Sequence, residues 1–224
     1  TAPGRSHKPG PDRGLLRQLS HARELAEQSR YGEAVRCLNA ILDSPEDYLF
    51  QPDERRSSHR SLRLEANRIL GRMPRAGREA YELQYGSEAR RLLDRAVASR
   101  DIELLAEVSR RFFHTAAGYE ATFLLGLHYL DSREPLTAAL KLRQVHDESL
   151  SADQFEPVLS LSLATCWYRA GFREQAEEVL RSLPARKLEA ALAGGGGDTR
   201  SPVDLERLRE TLSADDSVGA VESA

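Results

Sequence analysis

The apolar residues of this chain recur at the spacing of helices. Between Asp12 and Ser44 they fall at Leu15, Leu19, Ala22, Leu25 and Ala26, and again, after Tyr31, at Ala34, Cys37, Leu38, Ile41 and Leu42. Steps of three and four place each set on one helical face, so the stretch predicts two amphipathic helices folded back on one another, the first capped by Asp12. The pattern is clearest from Phe155 to Pro184. Leu159, Leu163, Cys166 and Trp167 line one helix, Gly171 supplies the positive φ that turns the chain, and Phe172, Ala176, Val179, Leu180 and Leu183 line the return. A third hairpin is predicted over Thr115–His146. Leu125, Tyr129 and Leu142 are its large apolar positions, and Pro135 stands in the first turn of its second helix, where the missing N–H costs nothing.

Between the hairpins the pattern is less regular. Ser44–Ser58, with Pro45 and Pro52, reads as a loop holding one helical turn at Asp47–Phe50. Tyr48, Leu49 and Phe50 either fill a gap beneath that loop or form a surface contact. His59–Arg72 predicts a helix with Leu62, Leu64, Ala66, Ile69 and Leu70 as core, stopped by Gly71 and Pro74. Ala76–Ser99 predicts one long helix or two, broken at Gly86. Asp101–His114 predicts a helix capped by Asp101 with Leu104, Leu105, Val108 and Phe112 inward, and Thr115 caps the next. Thr1–Pro11 reads as a flexible arm, 12–192 as one helical domain, and 193–224 as a Gly-rich linker, a short helix carrying Leu205, Leu208 and Leu212, and a polar tail leading to a further domain. Ala185–Ala193 extends the helical pattern.

Composition narrows the function classes. A net charge of -3 and a pI near 6.1 oppose a nucleic-acid coat protein. Arg90, Arg91 and Arg95 alternate with Glu88 and Asp94, which marks a solvated helix face rather than a phosphate patch. The Arg excess over Lys fits genomic base composition as well as function. Cys37 and Cys166 each sit in an apolar stripe and read as unpaired buried thiols; a disulfide needs their Cα atoms within about 7 Å. The six His are scattered, with no HExxH or GxSxG, and the GGGGD run at 194–198 lacks the Lys-Ser/Thr of a phosphate loop. No catalytic residue, metal or cofactor is therefore assigned. His114 stands at a helix junction, where its ring is expected to satisfy backbone groups. No apolar run approaches the roughly 20 residues of a membrane span, and no signal peptide is visible. The first residue is Thr, so removal of an upstream segment is expected.

Small residues recur in pairs twelve apart: Ala22 with Ala34, Gly126 with Ala138, Ala164 with Ala176. Each pair falls where two antiparallel helices must touch. This spacing resembles the tetratricopeptide (TPR) repeat, a helix–turn–helix unit of about 34 residues. The fold it implies is all-α, a TPR-like α-solenoid of antiparallel helical hairpins, with Ala106 as the small position of a degenerate repeat. The runs RYGEAVRCLNAILDSPEDYLFQPD, ANRILGRMPRAGREAYELQYGSEARRLLDRAV and EVSRRFFHTAAGYEATFLLGLHYLD resemble, more narrowly, the N-terminal helical region of large bacterial proteins that carry PQQ-type β-propeller repeats further along. The likeness covers Gly14–Leu183, and Arg110–Tyr119, with Phe112, Phe113, His114, Thr115 and Gly118, is its most diagnostic part. It implies a periplasmic or secreted domain, with a cytoplasmic one as alternative. The chain has no propeller strands, so no quinone cofactor is assigned to it.

By the TPR resemblance, the first helix of each hairpin lines a concave face. Arg23, Glu27, Glu120, Phe123, Leu127, Asp131, Leu161, Thr165, Tyr168 and Arg169 are its expected partner-binding positions. The mixture is apolar with scattered charge and lacks a Lys/Asn carboxylate clamp, so the expected ligand is a helix or extended apolar segment of a protein partner. Two other readings stay open: a groove filled by the protein's own chain, and an architectural domain that packs on or spaces a downstream propeller; an enzyme is not expected. Nucleic acid is not an expected partner.

Overall fold

A computed structural model describes residues 13–51, 59–148 and 152–183. Among these the chain is helical almost throughout, as the periodicity predicts. The helices are α1 (Arg13–Glu27), α2 (Tyr31–Leu42), α3 (Leu62–Arg72), α4 (Arg75–Ser99), α5 (Ile102–Arg111), α6 (Ala116–Asp131), α7 (Pro135–His146), α8 (Val158–Arg169) and α9 (Arg173–Ser182). The expected Asp12 cap, the terminal arm and everything after Leu183 lie outside the described residues. The described chain divides into two compact units, one ending at Gly118 and the other beginning at Tyr119.

One turn recurs in both units. At the ends of α1, α4, α6 and α8 a residue takes left-handed φ: Ser29 (60°), Arg100 (55°), Arg133 (60°) and Gly171 (83°). The amide of the following residue then reaches back five positions, Arg30 to Leu25 (2.9 Å), Asp101 to Ala96 (2.9 Å), Glu134 to Tyr129 (2.9 Å) and Phe172 to Trp167 (2.8 Å). The left-handed residue's own amide bonds the carbonyl three back in all four cases. This is the Schellman arrangement, which satisfies the last carbonyls of a helix. Arg30, Asp101, Glu134 and Phe172 then begin α2, α5, α7 and α9 as N-cap residues. Seven residues before each turn and five after it stand Ala22 and Ala34, Leu93 and Leu105, Gly126 and Ala138, Ala164 and Ala176, all buried. The α4–α5 register puts Leu105, not the half-buried Ala106, at the position sequence reasoning gave to Ala106.

In the first unit α1 packs on α2 and α3, α2 also on α4 and α5, and α4 on α5. Leu19, Leu25, Leu38, Ile41, Leu42, Leu62 and Leu70 form its core. Three expectations change. Asp47–Phe50 makes no helical turn. Instead β1 (Leu49–Phe50) pairs antiparallel with β2 (Arg60–Ser61), and the Leu62 amide donates to the Tyr48 carbonyl (2.9 Å). Ser61 then caps α3 by accepting from the Leu64 amide (2.9 Å), which delays the helix past His59. Phe50 is buried and Tyr48 half-buried, so these two fill the gap, while Leu49 is exposed. Leu64 was expected in the core and is 68% exposed. Nor does Gly86 break α4, which runs unbroken for 25 residues. One Gly costs a helix only about 1 kcal/mol, and buried Tyr81, Ala89, Leu92 and Leu93 pin α4 on both sides of it.

In the second unit α8 packs on both α7 and α9. A Cβ on Gly126 would lie 2.6 Å from Leu142 Cδ2, so α6 and α7 meet closely there and any side chain would have to push Leu142 aside. Phe172 is 42% exposed rather than in the core, because its ring sits edge-on to Trp167 at 5.5 Å and closes the α8 turn.

Candidate functional site

The segment Arg110–Gly118 is the hub of the first unit. Arg110 donates to the Leu42 carbonyl (3.1 Å), Arg63 donates to the Ser44 carbonyl, and Arg111 pairs with Asp43, with Glu107 (2.7 Å) and with Glu88 (3.7 Å). Three guanidinium groups thus converge on the end of α2, where unpaired carbonyls gather negative potential. Burial, with the like charge of Arg63, pushes the Arg110 pKa down. Burial opposes charge on Arg111 too, but the bonds and charges of Glu107 and Asp43 outweigh it and hold its pKa up. Tyr81 donates its hydroxyl to the Arg111 carbonyl (2.9 Å), and burial raises its pKa.

Phe112 is fully buried. Thr115 donates to the Phe112 carbonyl (2.8 Å) and accepts from the Gly118 amide (3.0 Å), so it caps α6 as predicted. A Cβ on Gly118 would run into the Phe112 carbonyl. His114 is 7% exposed, and its Nε2 lies 2.9 Å from the Asn67 carbonyl. Burial pushes its pKa down to about 4, against the pull of the Asn67 bond, and Arg78 adds to the fall. The ring therefore serves the backbone, as its junction position implied.

The ten expected partner-binding residues separate. Arg23 and Glu27 belong to the first unit, where Arg23 donates to Glu65 (2.7 Å) and Glu27 is exposed. The other eight belong to the second. Glu120, Phe123, Leu127 and Asp131 lie at helical steps on α6; the first three are half-buried and Asp131 exposed. On α8, Leu161 and Thr165 are half-buried, Arg169 is exposed, and Thr165 bonds back to the Leu161 carbonyl (2.8 Å). Tyr168 is only 5% exposed: it continues the buried run Cys166–Trp167 and is not an accessible groove residue. Phe123 is partly covered by its own chain, since Phe155, on a 3₁₀ turn at Asp153–Phe155, stacks on it at 4.8 Å. Sequence spacing gave no sign of that stack.

Sequence reasoning also missed a cluster at the start of α3. Glu65 is 8% exposed and holds three arginines: Arg23 (2.7 Å), Arg68 (3.5 Å) and Arg60 (3.6 Å). Burial alone would raise its pKa, but the hydrogen bond and charge of Arg23, with Arg68, hold it down. A depression of about 310 Å³ opens beside it, lined by Arg60, Ser61, Leu64, Glu65 and Arg68.

Both thiols are free; Cys37 is half-buried, and burial pushes Cys166 up to about 12. Among the described residues no cluster of His, Cys, Asp and Glu could hold a metal ion, and no helix is long and apolar enough to cross a membrane. No protein-family model, no curated protein and no solved structure matches this chain.

Proposed function

We propose that the protein is a non-catalytic interaction scaffold of TPR-like hairpins, whose second unit offers the α6 and α8 faces to a helix or extended apolar segment of another protein. The observation that carries this reading is the repeated turn: four helix pairs closed alike, three of them with small residues at matching distances before and after it. Stacked hairpins of this kind make a concave surface from their first helices. In the second unit that surface would hold Glu120, Phe123, Leu127, Asp131, Leu161, Thr165 and Arg169. The resemblance of the sequence to propeller-bearing bacterial proteins supports a periplasmic or secreted location for such a scaffold, with a cytoplasmic one as the alternative.

A second reading, an architectural domain that packs on a downstream propeller, is favoured by Leu136 and Leu140. They are 47% and 45% exposed one turn apart on α7. The test is recovery of partners from an extract of the source cells with three baits: the intact protein, Phe123→Glu/Leu127→Glu, and Leu136→Glu/Leu140→Glu. Each partner is then titrated in purified form against all three. Loss of about tenfold in affinity (about 1.4 kcal/mol) in the Phe123/Leu127 variant alone is the expected result. Unchanged binding by that variant sinks the scaffold reading, and loss confined to the Leu136/Leu140 variant moves the contact to α7.

A further inference from the structure

We propose that the arginine-rimmed depression at the start of α3 is a docking site for an acidic segment of another protein, one that carries an apolar residue next to its carboxylates. The argument starts from charge. Glu65 is a buried carboxylate and needs a partner, and Arg23 at 2.7 Å supplies one. Arg68 and Arg60 stand further off, at 3.5 and 3.6 Å, and touch the second carboxylate oxygen only loosely. Among the described residues three positive charges therefore face the one carboxylate of Glu65. Asp47, on the chain leading into β1, accepts from the Ser61 hydroxyl (2.6 Å) and the Arg63 amide (3.3 Å) and keeps its negative charge, so it lowers this excess without cancelling it.

The three arginines are not there to fill the core. Their side chains are 43%, 47% and 42% exposed. Each guanidinium has five N–H donors, while one carboxylate offers about four acceptor positions. Donors thus outnumber the acceptor positions of Glu65, and Arg60 and Arg68, which line the depression, carry planar forks that suit carboxylates. Glu65 acts as a fixed post that holds these forks in place, which reduces the ordering cost of binding. Leu64 lies on the same rim and is 68% exposed, an apolar contact that a bare phosphate would not use. The depression, at about 310 Å³, has room for a few side chains rather than a polyanion track. The chain's net charge of -3 also opposes a long nucleic acid. Acidic and apolar residues in one short segment satisfy every feature of the rim.

The experiment uses the full chain and a fluorescein-labelled peptide of sequence Gly-Glu-Glu-Leu-Glu-Gly, read by fluorescence anisotropy at low and moderate salt. A peptide with every Glu replaced by Gln, inorganic phosphate, and a single-stranded RNA oligonucleotide serve as comparisons. The expected result is saturable binding of the acidic peptide, weakened by salt, about tenfold weaker for Arg60→Ala/Arg68→Ala and several-fold weaker for Leu64→Ala. Circular dichroism checks that each variant is folded, and the exposed Leu64 change probes the site without disturbing the ion cluster. Phe123→Glu/Leu127→Glu should leave this binding unchanged, so the two sites fail or succeed separately. Absence of binding, equal binding of the Gln peptide, or an affinity indifferent to the arginines overturns the proposal. So does displacement by phosphate or RNA at concentrations below the peptide's own Kd.

Discussion

Acidification should destabilise the first unit through His114. Its pKa is about 4 in the fold, pushed down chiefly by burial, against 6.5 for an unhindered ring. The folded state therefore favours the neutral ring and the unfolded state takes up the proton more readily. Stability from this group is complete above pH 6.5 and is lost as pH falls towards 4. Linkage over that shift gives a loss of about 2 kcal/mol between roughly pH 7 and pH 5, and about 3 kcal/mol once both states are protonated. The geometry agrees: a protonated ring would sit 7% exposed, near the positive charge of Arg78. The assay is urea unfolding followed by far-UV circular dichroism, for the wild type and for His114→Gln, at about pH 7 and about pH 5. His114→Gln should be less stable at the higher pH, having lost a fitted ring, but should lose about 2 kcal/mol less on acidification. Equal pH slopes for the two proteins would refute the reasoning, since the carboxylates that titrate at lower pH are common to both.

Gly118→Ala should cost about 1–3 kcal/mol, because its methyl meets the Phe112 carbonyl and backbone must move; a melting temperature unchanged from wild type would mean that the α5–α6 junction is looser than drawn. Ala164→Leu should cost a similar amount by overpacking the fully buried contact of α8 with its neighbours, measured in the same thermal scan. Arg133→Gly should stabilise by about 0.5–1 kcal/mol, and Gly171→Ala should destabilise by about 1 kcal/mol, because both turns need left-handed φ; chemical denaturation reads both signs. With an excess thiol reagent at neutral pH, Cys37 should be modified well before Cys166, whose buried thiol is held protonated.

The parts of the fold legible in the sequence are those fixed by short-range chemistry. Asp101 accepts from the Leu104 amide (3.0 Å), Thr115 caps α6, and Gly171 turns the chain, all within a few residues of where their side chains act. The paired small residues were legible for the same reason. Ser29, Arg100 and Arg133 were not, because nothing in their chemistry advertises positive φ; the surrounding helices impose it. The β1–β2 pair escaped because each strand has two residues, too few for any alternation to register. The exposure of Leu64 escaped because a period shows that apolar residues share a face, not which neighbour covers it. Of the candidate site, helical steps placed Glu120, Phe123, Leu127 and Asp131 on one helix. The Phe155 stack spans 32 residues and the Arg23–Glu65 pair 42, separations that no local pattern encodes, whereas Arg68 lies only three positions from Glu65 and went unremarked because such pairs are common on helix surfaces.

The clasp of arginines on the end of α2 also has a consequence for synthesis on the ribosome. Arg63 reaches back 19 residues to Ser44, but Arg110 reaches back 68 residues to Leu42. At translation rates of about 5–20 residues per second, Arg110 is added roughly 3–14 s after Leu42. The Asp43 and Ser44 amides bond the Asn39 and Ile41 carbonyls from within the hairpin, but until Arg110 arrives the Leu42 carbonyl lacks its guanidinium donor, and the first hairpin must wait as a half-finished nascent element. Polypeptides stalled within α3 or α4 should accordingly remain open to protease, and resistance should arise as a single step once the RRFFHT segment clears the tunnel.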